Sequence, residues 1–172
     1  MLENQSTSQM QKNIFNNAFD KWKQGDEENS VPIFKKLAKD GHVMAQLILG
    51  HHYHRENDIQ QAIKWYKKAA LSREPNAYLS LAMIYDPTNL LNANGARCAF
   101  IDAVEAQNSY IRAFKGFLWR ATNGEPDAMS MLADFYAGGM GIETNLEKYK
   151  YWRDQTYIFH TGKPFDEQDW IS

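Results

Sequence analysis

Two segments decide how this chain folds: Ala45-Gln46-Leu47-Ile48-Leu49-Gly50-His51-His52-Tyr53 and, nine residues further on, Ala62-Ile63-Lys64-Trp65-Tyr66-Lys67-Lys68-Ala69-Ala70. In the first, Ala45, Leu49, Gly50 and Tyr53 stand at i, i+4, i+5 and i+8, which is one side of an α-helix. The small residue after Leu lets a neighbouring helix come close, while Leu and Tyr fill the space on either side. In the second, Ala62, Trp65, Tyr66, Ala69 and Ala70 line one face of another helix. The two segments read as an antiparallel helix pair.

The pair recurs along the chain. The first-helix face returns as Ala77, Leu81, Ala82, Tyr85 and again as Ala128, Leu132, Ala133, Tyr136. The second-helix face returns as Ala113, Phe117 and Ala121, and Tyr149 and Trp152 take the Ala62 and Trp65 positions in the last unit. Ala38 to Ala70 and Ala45 to Ala77 are each 32 residues, whereas Ala77 to Ala128 is 51. A fixed period in a helical chain is the mark of a repeat array, in which each unit buries its apolar face against the next. The third unit therefore carries an insertion of 19 residues between Tyr85 and Ser109. It opens with Asp86-Pro87-Thr88-Asn89, which stops a helix, and Ala96, Ala99, Phe100, Ala103 and Val104 predict an extra helical segment of about three turns.

Helix starts follow the same register. Twelve residues before Ala70 and Ala121 stand Asp58 and Ser109, and the equivalent in the last unit is Asn145. All three can accept the free amide hydrogens of a first turn. In the first unit the equivalent is Asp26, but Pro32 would then fall inside the helix, so the sequence predicts a shorter helix capped by Asn29 or Ser30 with Pro32 in its first turn. Phe15, Phe19 and Trp22 read as the apolar ladder of the helix before it.

These residues resemble the Sel1-like repeat, a relative of the tetratricopeptide repeat, with its pattern of Ala, Leu-Gly, Tyr, a Gly-rich turn and Ala-x-x-Trp-Tyr-x-x-Ala-Ala. Ala45 to Ala70 is the best copy, and Gly138-Gly139-Met140-Gly141-Ile142 is similar to the interhelical turn of that family. The resemblance implies an all-α, right-handed solenoid of about four antiparallel helix pairs. Its expected organisation is a disordered lead over 1–9 and a single solenoid over 10–157. The units fall at about 10–40, 41–72, 73–123 with the insertion at 86–108, and 124–157. A tail over 158–172 is expected to fold back as a cap through Phe159, Phe165 and Trp170, because the last unit of a solenoid has an uncovered face.

Composition agrees with that class and excludes others. Eighteen alanines against three valines (Val31, Val43 and Val104) favour helix over strand. The 172 residues are 44% hydrophobic and 13% aromatic, enough for a core and unlike a disordered chain. A net charge of −2 argues against general binding to nucleic acid or to an anionic membrane. Lys35, Lys36, Lys39, Lys64, Lys67 and Lys68 read as solvated outer faces, since acidic residues offset them. With a lone Cys98, a polar N-terminus and no long apolar run, the expected location is the cytoplasm, with no membrane insertion.

Chemistry-bearing patterns are sparse. His51, His52 and His54 have metal-ligand character, yet no Glu completes an HExxH pattern and they fall on the exposed side of a helix, so no metal and no cofactor are expected. The glycine run at 138–141 lacks the spacing of a phosphate loop and reads as a turn. Cys98 in an Ala-rich helix reads as a small apolar filler.

By resemblance to tetratricopeptide arrays, the first helices line a concave surface, into which the residues two before and two after the repeated Leu project. These are Leu47 and His51, Leu79 and Met83, and Ser130 and Asp134. Exposed Leu and Met in a groove point to a protein or peptide partner. The expected function is a non-enzymatic protein-interaction module. The alternatives are a bacterial immunity protein that neutralises one cognate toxin and, further off, a hydrolase. The paired cysteines that the resemblance links to β-lactam chemistry are absent here.

Overall fold

The computed structural model describes the backbone of residues 2–89 and 100–164, and side chains from residue 9 onward. Among the described residues it is all-helical, with four helix pairs: α1 (Leu2–Lys23) with α2 (Glu27–Lys39), α3 (Val43–Arg55) with α4 (Ile59–Leu71), α5 (Pro75–Tyr85) with α6 (Ala103–Thr122), and α7 (Pro126–Gly138) with α8 (Leu146–Thr161). The chain forms two compact units, residues 1–77 and 78–172. α1 begins at Leu2, within the stretch that the sequence reads as a disordered lead.

The core of the first unit joins Phe34, Leu37 and Ala38 of α2 to Ala45, Ile48 and Leu49 of α3 and Trp65 of α4, with Phe15, Phe19 and Trp22 of α1 packed against it. The Phe15 and Phe19 rings stack 5.8 Å apart, and Phe19 and Trp22 6.0 Å apart, so the expected ladder exists. Gly50 shows why this face needs a small residue. A Cβ there would stand 2.3 Å from the ring of Tyr66, which is fully buried. In the second unit Ala82 meets Tyr110, Ala113, Phe117 and Ala121 of α6 and Ala128, Leu132 and Phe135 of α7, with Trp152 of α8 packed on this cluster.

Caps hold the helix starts. Asp58 accepts from Gln61 N at 3.1 Å and Asn145 from Lys148 N at 2.9 Å, as the register predicts. Two expectations give way. Asp26, and neither Asn29 nor Ser30, caps α2, accepting from Asn29 N at 3.3 Å, and Pro32 lies inside the helix. Proline removes one amide donor near the helix start, and the Ser30 hydroxyl adds a bond to Asp26 O at 2.7 Å in that first turn. α6 is capped by Asp102, which accepts from both Val104 N and Glu105 N, so Ser109 lies inside the helix and is buried.

A recurring backbone bond explains the second correction. The amide of the capping residue donates to the carbonyl of the repeated Tyr: Asp58 N to Tyr53 O, Asp102 N to Tyr85 O and Asn145 N to Tyr136 O, each at 2.9 Å. Tyr53 and Asp58 are five residues apart and Tyr85 and Asp102 seventeen, so twelve of the inserted residues lengthen the connection. Asp58 stands twelve residues before Ala70, but Asp102 nineteen before Ala121. The other seven therefore add two turns to the start of α6. Of the extra helix predicted over Ala96 to Val104, Ala103 and Val104 lie in the first turn of α6, and Ala96 and Ala99 lie outside the described residues.

At the C-terminal end, α8 runs on through Ile158 to Thr161 and stops at Gly162, whose φ of 71° lets its N–H return to Ile158 O at 2.8 Å. Phe159 of the expected cap is helical and 57% exposed; Phe165 and Trp170 lie outside the described residues. No described helix is long and apolar enough to cross a membrane.

Candidate functional site

The six residues that the sequence assigns to a groove take three different roles. Leu47 is 5% exposed and cannot meet a partner without moving. The reason is that α3 is buried all round from Ala45 to Gly50, so the face assigned to solvent is part of the interior. His51 is exposed, and its Nδ1 lies 2.9 Å from the Tyr66 hydroxyl of α4. Desolvation, and then the charge of His54, hold its imidazole below the usual histidine range.

In the second unit the row divides by helix. Leu79 on α5 is partly buried against the core cluster, while Met83, one turn later, is 39% exposed. Ser130 and Asp134 hold the same register positions on α7 and both are exposed. The opposite sides of these helices supply Leu81, Ala82, Ala128, Leu132 and Ala133 to the interior. Met83, Ser130 and Asp134 are thus surface positions on helices whose other side is fixed by packing.

Sequence reasoning missed exposed apolar residues on the second helices. Trp119 of α6 is 67% exposed, and Leu146 and Tyr151 of α8 are also exposed. The signal was present: Trp119 stands off the Ala113, Phe117, Ala121 face, so it has no place in the repeated packing pattern. Trp65 and Tyr66, by contrast, are buried as the register requires, and Lys68 lies over the Trp65 ring at 4.3 Å.

A cavity of about 380 Å³ opens at the ends of α5 and α7, lined among others by Asp86, Gln107, Tyr110 and the Gly138–Gly141 turn. The turn connects α7 to α8, as the sequence predicts. A Cβ on Gly141 would stand 2.4 Å from Cβ of Tyr110, and Gln107 Nε2 donates to Gly141 O at 3.1 Å, so this backbone lies directly on α6. Asp86 accepts from Thr88 N and Thr88 Oγ1 at 2.7 Å each and from the Tyr110 hydroxyl at 2.8 Å. Burial pushes its carboxyl up, but the bonds from Thr88 and Tyr110 outweigh that and leave it below the usual range. Burial, then the bond to Asp86, pushes the Tyr110 phenol up, so this pair is a neutral hydroxyl donating to a carboxylate. With every acceptor oxygen engaged, it acts as a fastening between α6 and the end of α5. Cys98 lies outside the described residues.

No family model matches the chain, and no curated protein matches it. Solved structures do. A protective antigen present in uropathogenic Escherichia coli strains, displaying an SLR fold, matches 91% of this chain at 23% identity with a TM-score of 0.54. The chain spans 32% of that protein's length. A Sel1 repeat protein from Oxalobacter formigenes matches 73% of this chain and 86% of its own at 24% identity, with a TM-score of 0.44.

Proposed function

We propose, from the premise that this chain has the fold of Sel1-like repeat proteins, that it is a non-enzymatic module binding a protein or peptide partner through its first helices. The observation that supports this is the exposure of Met83, Ser130 and Asp134 at equivalent positions of α5 and α7, on helices already fixed by their buried side. A rigid helix face needs no ordering when a partner arrives, which lowers the entropic cost of association. Met supplies an adaptable apolar contact and Asp134 a charge that selects a complementary cation on the partner. Leu79 would add its partly exposed edge; Leu47 is withdrawn from the contact set by its burial, and His51 is the exposed residue at the matching register position on α3.

Site-specific photo-crosslinking in the native cell tests the reading. A crosslinker at Met83 or Asp134 should give one discrete adduct that a crosslinker at exposed Lys64 on α4 does not, and Met83→Glu should abolish the Asp134 adduct while circular dichroism and Tm stay unchanged. No adduct, or the same adducts from all three positions, would overturn it. The toxin-neutralising role is the special case in which the captured partner is a single toxin.

A further inference from the structure

We propose that Glu27, His52 and Glu56 form a binding site for a divalent transition-metal cation of the zinc type, holding the start of α2 to the end of α3. The sequence hides this group, because its members come from two helices and the middle one of the three histidines lies against a carboxylate of the other helix. His51 is engaged with the Tyr66 hydroxyl, and the His54 ring stands edge-on to the same Tyr66 at 6.4 Å. His52 turns the other way, and its Nδ1 lies 3.1 Å from Oε2 of Glu27 in the first turn of α2. Glu56, at the C-cap of α3, follows His52 by four residues, and its amide donates to His52 O at 3.0 Å, so both side chains leave the same face of the last turn. One ligand atom from each of the three residues lies within 4.8 Å of the others.

The chemistry suits a borderline cation. One imidazole nitrogen with two carboxylates is an N,O donor set that zinc accepts, whereas calcium and magnesium prefer oxygen alone. Two ligands each about 2.1 Å from a tetrahedral or octahedral ion stand roughly 3.0–3.4 Å apart, so the Glu27 to His52 distance is already that of two neighbouring ligands. Glu56 is exposed and needs only a side-chain rotation to complete the set. The outer contacts fit as well. Arg55 binds the other carboxylate oxygen of Glu27 and leaves Oε2 toward His52, and the Tyr53 ring stands edge-on to the imidazole at 5.3 Å.

Calorimetric titration of the untagged full-length chain with Zn²⁺ tests this. One ion per chain should bind with micromolar affinity and raise Tm, and millimolar Mg²⁺ or Ca²⁺ should not compete. His52→Ala and Glu56→Gln should each weaken binding about 10–100-fold, while His51→Ala and His54→Ala leave it unchanged. Glu56 is exposed, so Glu56→Gln keeps the test open if His52→Ala disturbs the fold. Absence of saturable binding, or binding that survives both ligand changes or is lost with His51 or His54 instead, would overturn the proposal.

Discussion

Arg73 stands where the chain turns from α4 into α5, with φ at 59°, in the left-handed region that side chains other than glycine enter at a cost. The equivalent turns carry Gly41 and Gly124, at 92° and 88°. Replacing Arg73 with glycine relieves about 1–2 kcal/mol of local strain and costs about 0.5–1 kcal/mol in unfolded-state freedom. Arg73→Gly should therefore stabilise the chain by about 0.5–1 kcal/mol in urea unfolding, while Gly41→Ala should destabilise it by a similar amount or more. Gly50 gives the opposite lesson. An alanine would gain about 1 kcal/mol of helix propensity, but its Cβ meets the buried Tyr66 ring at 2.3 Å, and overpacking of that kind costs roughly 1–3 kcal/mol. A Tm below that of the parent chain is the expected outcome for Gly50→Ala. The need for a small residue at position 50 was legible from its place after Leu49. The strain at Arg73 was not, because backbone sign leaves no trace in a single side chain.

At the level of helices, caps were legible where the spacing from the repeated alanine is undisturbed, as at Asp58 and Asn145. Asp102 was hidden because seven extra residues had entered α6 itself, and counting back from Ala121 stops short at Ser109. α3 has a cap of another kind: Nδ1 of His42 accepts from Ala45 N at 3.3 Å. Only the neutral imidazole can accept. Burial holds its pKa below 6.5, with a backbone hydrogen bond opposing the shift. A folded-state value below the unfolded one means that the stabilisation is fully present above pH 6.5 and is lost as pH falls through the folded pKa. His42→Asn, which caps without titrating in this range, should flatten the fall in stability between about pH 7 and pH 5 in urea titrations. The groove row was legible only in part for a related reason: spacing identifies which residues share a face, but Leu47 shows that it does not tell whether that face meets water.

Across the whole molecule, each unit has its own aromatic centre, Phe34 in one and Phe135 in the other, both fully buried. Truncating either to alanine should cost about 3–5 kcal/mol. Because repeat chains are stabilised by near neighbours in sequence, Phe34→Ala should raise native-state hydrogen exchange chiefly in residues 1–77 and Phe135→Ala chiefly in 78–172. Uniform acceleration in both variants would show one cooperative body. The order of helix pairs was legible from the 32-residue period, whereas the division into two units was not, since the repeated alanines continue through it at Ala77.

The bond from the capping amide to the repeated tyrosine spans five residues at Asp58, nine at Asn145 and seventeen at Asp102, always with the same length. Whatever lies between those two points begins and ends at one fixed place on the scaffold. Closing a loop twice as long costs only about 0.6 kcal/mol more, so a connection held at those two points can lengthen at little cost to the helices that carry it, provided Asp86 keeps its bond to Tyr110. The connection after Tyr85 is thus a ready port for engineering. A foreign epitope or a small folded domain spliced there would be presented from a pinched base, with the repeat packing on either side left as it is.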